Sequence, residues 1–441
     1  MAWIETIYPR SRSDRLPFSH PLLKAGRPKF FKAAILNFIT LQLLFFGLFC
    51  YLFGALYQQE THTHNIDIVF VDYDQDLVGE AVRRAYKSLQ SERFPTLVEH
   101  SIADYPTEAS LREAVCRTDF WAAIYTTPGA SGRLGRALSG ANTVQYNKSN
   151  TLTYIWNEVR YPTVLDSAIS GSLGTLSYAA QHEYVALNGT AALSGTVADE
   201  ATLSLLTDPW DLSSVNIKRT TQGSRAVYNT LVIVLLLLQD FFYLATVNGL
   251  YGQFKVYSRA KPHLIIIVRT AISATYTLFG SILVAASIWI FKASWDVSAT
   301  QFALTWLTLW LFAHANFMVI DVFTIWLPAL YVPMALVSWV IFNVISIIIP
   351  FALSPSFYRW GYALPAHGAY EVLTDVWSGG CNPHLRFGLV VLFCYEVVGN
   401  ALAALGVYRR SHLATPNQNV DQDMAESNKV TDVTKVAVTN A

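Results

Sequence analysis

Four ionisable side chains, Asp240, Arg269, His314 and Asp321, sit in stretches that are otherwise almost wholly apolar. A charge among hydrocarbon is costly unless it is paired, so such residues mark proton or ion paths, substrate contacts or bonds between helices. Asp240, beside Gln239, fits a proton site or a contact for a cationic substrate. It equally fits a hydrogen bond to a neighbouring helix, or a place in a water-filled wedge. His314 and Asp321 are seven residues apart, with Asn316 between them, so two helical turns put them on one face. His314 could relay protons, since an imidazole titrates near neutral pH. It could also be a neutral, hydrogen-bonded packing residue. Arg269 and Asp321 fall at similar depths, and they are expected to pair with their charged groups about 4 Å apart.

Arg359, His367 and Glu371 lie in an aromatic-rich stretch, Ser354–His384. There they could gate a substrate path or hold the stretch against a neighbouring domain. Asn147-Lys-Ser and Asn188-Gly-Thr are N-glycosylation acceptor triplets. Cys116 and Cys381 are both expected outside the cytoplasm, where one disulfide could join them. Cys50 and Cys394 fall in apolar segments and read as packing residues. No Cys-x-x-Cys, no glycine-rich phosphate loop, no His-Glu-x-x-His and no Gly-x-Ser-x-Gly occurs. No catalytic residue, metal site or cofactor is therefore expected. Transport driven by ATP would need a separate ATPase subunit.

The elements that must position these residues are membrane helices. The chain has 441 residues, 53% hydrophobic and 14% charged, with a mean hydropathy of +0.32. Soluble domains carry about 25% charged residues, so an ordinary globular enzyme is excluded. A net charge of zero argues against a nucleic-acid partner. Residues 1–33 form a basic tail and 34–57 an uncharged first span. Residues 58–226 carry 13 Lys/Arg against 19 Asp/Glu and read as one soluble domain. Hydrophobicity then persists over 227–410, with spans expected near 227–251, 264–291, 301–320, 326–353 and 387–408. The run 301–353 is too long for one helix and is divided near Asp321, before Pro328. The tail 411–441 is polar, without aromatics, and reads as disordered.

Six spans place the basic tail, the Lys255–Lys261 loop and Arg409–Arg410 on one side, which the positive-inside rule assigns to the cytoplasm. The acidic 58–226 domain falls on the other side, and it holds both acceptor triplets. Within it, Asn65–Asp72 and Phe120–Tyr125 read as buried strands, and Leu77–Leu89 and Glu108–Val115 as helices. Residues 157–187 read as mostly helical. In the outer segment 354–385, Ala366, Tyr370, Leu373 and Trp377 share one helical face, so a helix lying flat at the interface is expected.

Three local sequences resemble a known family: Ile68–Gly79 (IVFVDYDQDLVG), Gln222-Gly-Ser-Arg, and Phe357–Gly380 (FYRWGYALPAHGAYEVLTDVWSGG). They resemble the fungal nitrosoguanidine-resistance membrane proteins (DUF3533), whose membrane part is similar to ABC-2-type permeases and to bacterial YhgE/Pip membrane domains. The resemblance implies one helix, a large extracytoplasmic α/β domain and five more helices. It also implies a plasma-membrane role in resistance to, or export of, toxic amphiphilic small molecules, or in lipid distribution, and a homodimer. It implies no mapped active site. A non-transporting regulator or scaffold with a ligand-binding outer domain is the alternative. An intramembrane lipid-modifying enzyme would need His314 clustered with another acid or nucleophile.

Overall fold

The computed structural model describes residues 20–24, 26–139, 146–194, 200–220 and 232–414. Most of the basic tail, the Gln222–Arg225 motif and the tail beyond 414 lie outside the described residues. The chain divides into two units, Met1–Gly54 and Ala55–Ala441. The first is dominated by one helix, α1 (Arg27–Ala55), with 29 residues and no charge after Lys32. At 1.5 Å per residue it is about 43 Å long, more than a hydrocarbon core requires.

The second unit opens with an α/β domain. Its elements are β1 (Asp67–Asp72), α2 (Leu77–Leu89), β2 (Thr96–His100), α3 (Glu108–Cys116), β3 (Ala122–Thr126) and α4 (Ala130–Leu138). There follow β4 (Leu152–Trp156), α5 (Ser172–Ser194), α6 (Glu200–Thr207) and β5 (Leu212–Asn216). The sheet order is β2-β1-β3-β4-β5, antiparallel between β3 and β4 and parallel elsewhere. Alternation along β1 sends Val69 and Val71 to a cluster with Leu111 and Val115 of α3. Ile68 and Phe70 go to the opposite face, with Val78, Ala81, Val82 and Ala85 of α2. Covering both faces is what makes the middle of β1, Ile68–Val71, apolar on both sides. The buried Asp72 carboxylate ties the first turn, accepting from Thr126, Arg83 and the Gln75 backbone. Strands β2, β4 and β5 were not expected from the sequence. The helix expected over 157–187 starts later, after a Pro162 turn and a π-turn at Asp166–Gly171.

Six longer helices follow among the described residues, α7 (Val232–Gln253), α8 (Pro262–Ile290), α9 (Ala299–Trp326), α10 (Val332–Ile348), α11 (Pro365–Ser378) and α12 (Leu385–Ala414), with a one-turn helix, Val256–Arg259, between α7 and α8. Five helices among the described residues, α1, α7, α8, α9 and α12, are long and apolar enough to cross a membrane. The expected fifth span of the six, 326–353, is instead the 17-residue α10, about 25 Å long. The expected break near Asp321 is also displaced. Helix α9 continues unbroken to Trp326, because a paired carboxylate does not interrupt a helix, and the break falls at 327–331, around Pro328.

Helix α9 is the hub, packing against α7, α8, α10, α11 and α12. A capping box fixes its start: Ser298 accepts from the Gln301 backbone, and Gln301 accepts from that of Ser298. The Gln301 amide also donates to the carbonyls of Val376 and Trp377 at the end of α11. Helix α11 does not lie flat on an interface as expected. Ten of its 14 residues are buried, against α9, α10 and α12. The Trp377 indole donates to Thr305, and Asn343 of α10 accepts from the Ala366 backbone at the start of α11. Small residues on its other side admit α12, where Gly368 meets Gly388. The links that join this helical part to the α/β domain include the Cys116–Cys381 disulfide, a bond from the Tyr161 backbone N–H to the Tyr370 hydroxyl at 2.7 Å, one from Asn65 to the Ala352 carbonyl at 3.0 Å, and one from Lys218 to the Asp296 carbonyl.

The glycine contact gives a paired prediction. A Cβ at Gly388 would sit 2.6 Å from the Gly368 carbonyl oxygen, whereas one at Gly249 meets nothing within 4 Å. Gly388→Ala should destabilise the protein by about 1–3 kcal/mol, as overpacking does. Gly249→Ala should be neutral or stabilising by about 0.5–1 kcal/mol. Thermal unfolding of the purified variants in detergent checks both.

Candidate functional site

Two polar clusters cross the apolar contact of α8, α9 and α12. The first is at the end where α7, α9 and α12 finish and α8 begins. The Arg269 guanidinium donates to both Asp321 oxygens, at 3.1 Å from Nε and 2.6 Å from Nη2. Their side chains are 5% and 1% exposed. Arg269 also reaches Asn248 of α7 at 2.8 Å and the Tyr257 hydroxyl at 3.2 Å. Arg410 of α12 shares those acceptors and donates to Thr324 at 2.7 Å. It approaches Asp321 to 3.5 Å. One carboxylate thus serves two guanidiniums in a bidentate and networked geometry.

The second cluster lies two turns earlier on α9. His314 Nε2 is 3.1 Å from Ser273 Oγ of α8, and its Nδ1 is 2.7 Å from Glu396 Oε1 of α12. The proton positions follow from donor counting. Ser273 already donates its one hydroxyl proton to the Thr270 carbonyl, so its oxygen accepts from His314 Nε2–H. Nδ1 then faces a carboxylate oxygen, and the contact is attractive only if a proton lies between them. A hydrogen bond at this distance needs one proton, carried by His314 or by Glu396. Asn400 donates to the same Glu396 oxygen at 2.8 Å.

Asn400 also joins the two clusters through space. With Arg269, Asp321, Thr270 and Met318 it lines a cavity of about 320 Å³. His314 and Asp321 thus share a face of α9, as their spacing indicated, and each meets α8 and α12. Asp240 is not brought to them. It is buried on α7, and neither of its oxygens has a hydrogen-bond partner among the described residues. Its neighbour Gln239 donates to Tyr243 and lies against Gly280 of α8. No His/Cys/Asp/Glu group among the described residues is arranged to hold a metal ion.

The outer trio separates. His367 and Glu371 meet at 3.3 Å, and Asn382 and His384 add bonds to the second Glu371 oxygen at 2.6 and 3.5 Å. Burial pushes the Glu371 carboxyl up, but hydrogen bonds from His367, His384 and Asn382 outweigh it and hold the group well below the usual carboxylate range. Arg359 makes no contact with this pair and is exposed. Asn147 is exposed, on the turn before β4, whereas Asn188 is half-buried on α5 and donates to the Tyr184 hydroxyl. Cys50 and Cys394 are free thiols on exposed faces of α1 and α12, so neither is a core-packing residue.

A family model for proteins of unknown function, DUF3533, matches residues 37–401. The chain belongs to the DUF3533 family. An uncharacterized endoplasmic reticulum membrane protein of Saccharomyces cerevisiae is 21% identical over 390 residues, covering 80% of this chain and 75% of the relative. The matched region holds the α/β domain and both polar clusters except Arg410.

Sequence reasoning passed over Glu396, which was visible as a lone acid in an apolar run and warranted the same suspicion as Asp240. Asn248, Tyr257 and Arg410 carried no such signal, since only the fold brings them to Arg269. Breaking one half of a buried pair leaves an uncompensated charge and costs about 3–5 kcal/mol. Arg269→Gln and Asp321→Asn should each destabilise by about that much, and the double variant should lose less than the sum. A double-mutant cycle on thermal or denaturant unfolding reads this, and strict additivity would show that the pair is not coupled.

Proposed function

We propose that this DUF3533 protein moves amphiphilic molecules, toxic small compounds or lipids, across its membrane, with the His314–Glu396 proton as the coupling element. The observation that carries this reading is the cavity of about 320 Å³ set beside a polar seam between three spanning helices. Such a seam is costly in hydrocarbon and is retained where it serves a path or a switch. Loss of the shared proton would leave an imidazole lone pair facing a carboxylate at 2.7 Å, which pushes α9 and α12 apart. Protonation draws them together. That is a two-state element at the wall of the cavity, the minimum that alternating exposure requires.

The orientation we propose puts both termini and the Arg269–Asp321 end in the cytoplasm. The cations Lys255, Arg259, Lys261, Arg409 and Arg410 at that end support it. The α/β domain then lies in the lumen or outside the cell, where the Cys116–Cys381 bond would persist and exposed Asn147 could accept a glycan. The yeast relative, described as an endoplasmic reticulum protein, supports a secretory-pathway membrane. The plasma membrane lies at the end of that same pathway. The chain carries no phosphate-binding loop, so the proton, and not ATP bound by this chain, is the energy source we infer.

The test is transbilayer movement in proteoliposomes that hold only the purified protein. The cargo would be labelled phospholipids and cationic amphiphiles, with and without a pH gradient. Movement above empty liposomes is expected, accelerated by the gradient. Glu396→Gln should slow it by about tenfold or more, the scale of one lost charge-assisted bond. Rates equal to those of empty liposomes for every compound would favour a regulator or scaffold.

A further inference from the structure

At the opposite end of the bundle a second cavity, of about 340 Å³, lies where the α/β domain meets the helices. Trp121, Arg160 and Tyr161 line it from the domain, and Arg359, Tyr362 and Glu371 from the helical side. Arg160 follows β4 and is fixed over the Trp121 ring, 4.3 Å from its centroid. Among the described residues, neither the Arg160 nor the Arg359 guanidinium donates a hydrogen bond or forms an ion pair with a carboxylate. Glu371, the carboxylate in the lining, is already engaged by His367, His384 and Asn382. Burial pushes the Arg160 guanidinium down from its ordinary value, and the nearby Glu371 charge acts only in partial compensation.

Two guanidiniums that share a cavity and lack a committed carboxylate suit a tetrahedral oxyanion. Each planar fork can give two parallel N–H···O bonds to phosphate oxygens. The surroundings narrow the class further. Arg359 lies in a 3₁₀ segment, Ser356–Ala363, whose Phe357 and Trp360 are exposed. Aromatic side chains in that situation mark the level of lipid headgroups. The aromatic walls from Trp121, Tyr161 and Tyr362 suit the glycerol carbons that adjoin a headgroup phosphate.

We propose that this cavity binds a phosphate monoester or diester, as carried by a phospholipid headgroup or by a small phosphate compound. The site is independent of the transport reading, since no residue of the polar seam takes part in it.

The test uses the full-length protein in detergent, titrated calorimetrically with three probes: dihexanoyl phosphatidic acid, dihexanoyl phosphatidylglycerol and inorganic phosphate. Saturable binding of at least one is expected. Arg160→Gln and Arg359→Gln should each weaken it by about tenfold, the scale of one lost charge-assisted bond. Arg112→Gln, an exposed position on α3, should leave it unchanged. Binding of the lipids alone identifies a headgroup site, and equal binding of inorganic phosphate identifies a site for free phosphate compounds. Arg359 is exposed and pairs with no carboxylate, so its variant should keep the wild-type unfolding temperature and decides the matter if Arg160→Gln does not fold. No saturable binding of any probe, or wild-type affinity in folded Arg359→Gln, overturns the proposal.

Discussion

A guanidinium inside a bilayer must bring its partners with it. Arg269 stands about two turns into α8, and acceptors meet that demand from three other elements: Asp321 from α9, Asn248 from α7 and Tyr257 from the one-turn helix Val256–Arg259. Each alternative arrangement of these helices would leave a buried charge or donor unpaired, at a cost of several kcal/mol. Satisfying one side chain therefore fixes the relative rotation of α7, α8 and α9 at one end of the bundle, and Arg410 brings α12 to the same acceptors. The glycines of α12 do the complementary work along its length. Gly388, Gly399 and Gly406 lie on one face and let Gly368, Met318 and Ile325 approach to contact. In lipid, where apolar side chains gain little by leaving apolar surroundings, such close approach and polar pairing are the main sources of helix association.

The opposite end is held by different means. Helix α11 is a short buried wedge capped from α9 by Gln301 and from α10 by Asn343. Its outward contacts, through Tyr370 and the disulfide after it, reach the α/β domain. The domain is thus fastened to the helix that packs on the hub, not suspended by a loop. Movement of α9 against α12 would reach the domain through α11. Between the two fixed ends lies the His314–Glu396 pair, which links α9 to α12 at 2.7 Å without the Arg–carboxylate pairing of the first cluster.

Much of this was legible in the chain, and the failures have physical causes. Arg269 and Asp321 could be paired because each is intolerable alone and their depths matched. The disulfide partners were set by compartment, since two of the four cysteines lie in spans. Glu396 was missed because one acid among many apolar residues hardly alters a span's hydropathy. Strands β2 and β5 (TLVEH, LSSVN) are half polar, being outer strands of the sheet, and offer no apolar run. Helix α11 shows the limit of amphipathic pattern: the face of Ala366, Tyr370, Leu373 and Trp377 would look the same against lipid headgroups or against protein. Contacts distant in sequence, Trp377 with Thr305 and Gly368 with Gly388, decide for protein. The Arg160 cavity had no sequence signal, because its two arginines are 199 residues apart and meet only across the domain junction.

The central claim is that the seam between α8, α9 and α12 is a path that water and cargo can enter. Cysteine accessibility at Asn400 tests it most directly, in a protein whose Cys50 and Cys394 are replaced by alanine. A membrane-impermeant maleimide requires a hydrated thiolate. The account predicts labelling of Asn400→Cys, suppressed by an amphiphilic cargo. It also predicts no labelling of Val397→Cys one turn away on an exposed apolar face, where lipid surrounds it. Absence of labelling at Asn400→Cys from both sides and across pH 5–8 would contradict it, leaving a sealed bundle whose polar groups serve only to hold the helices together.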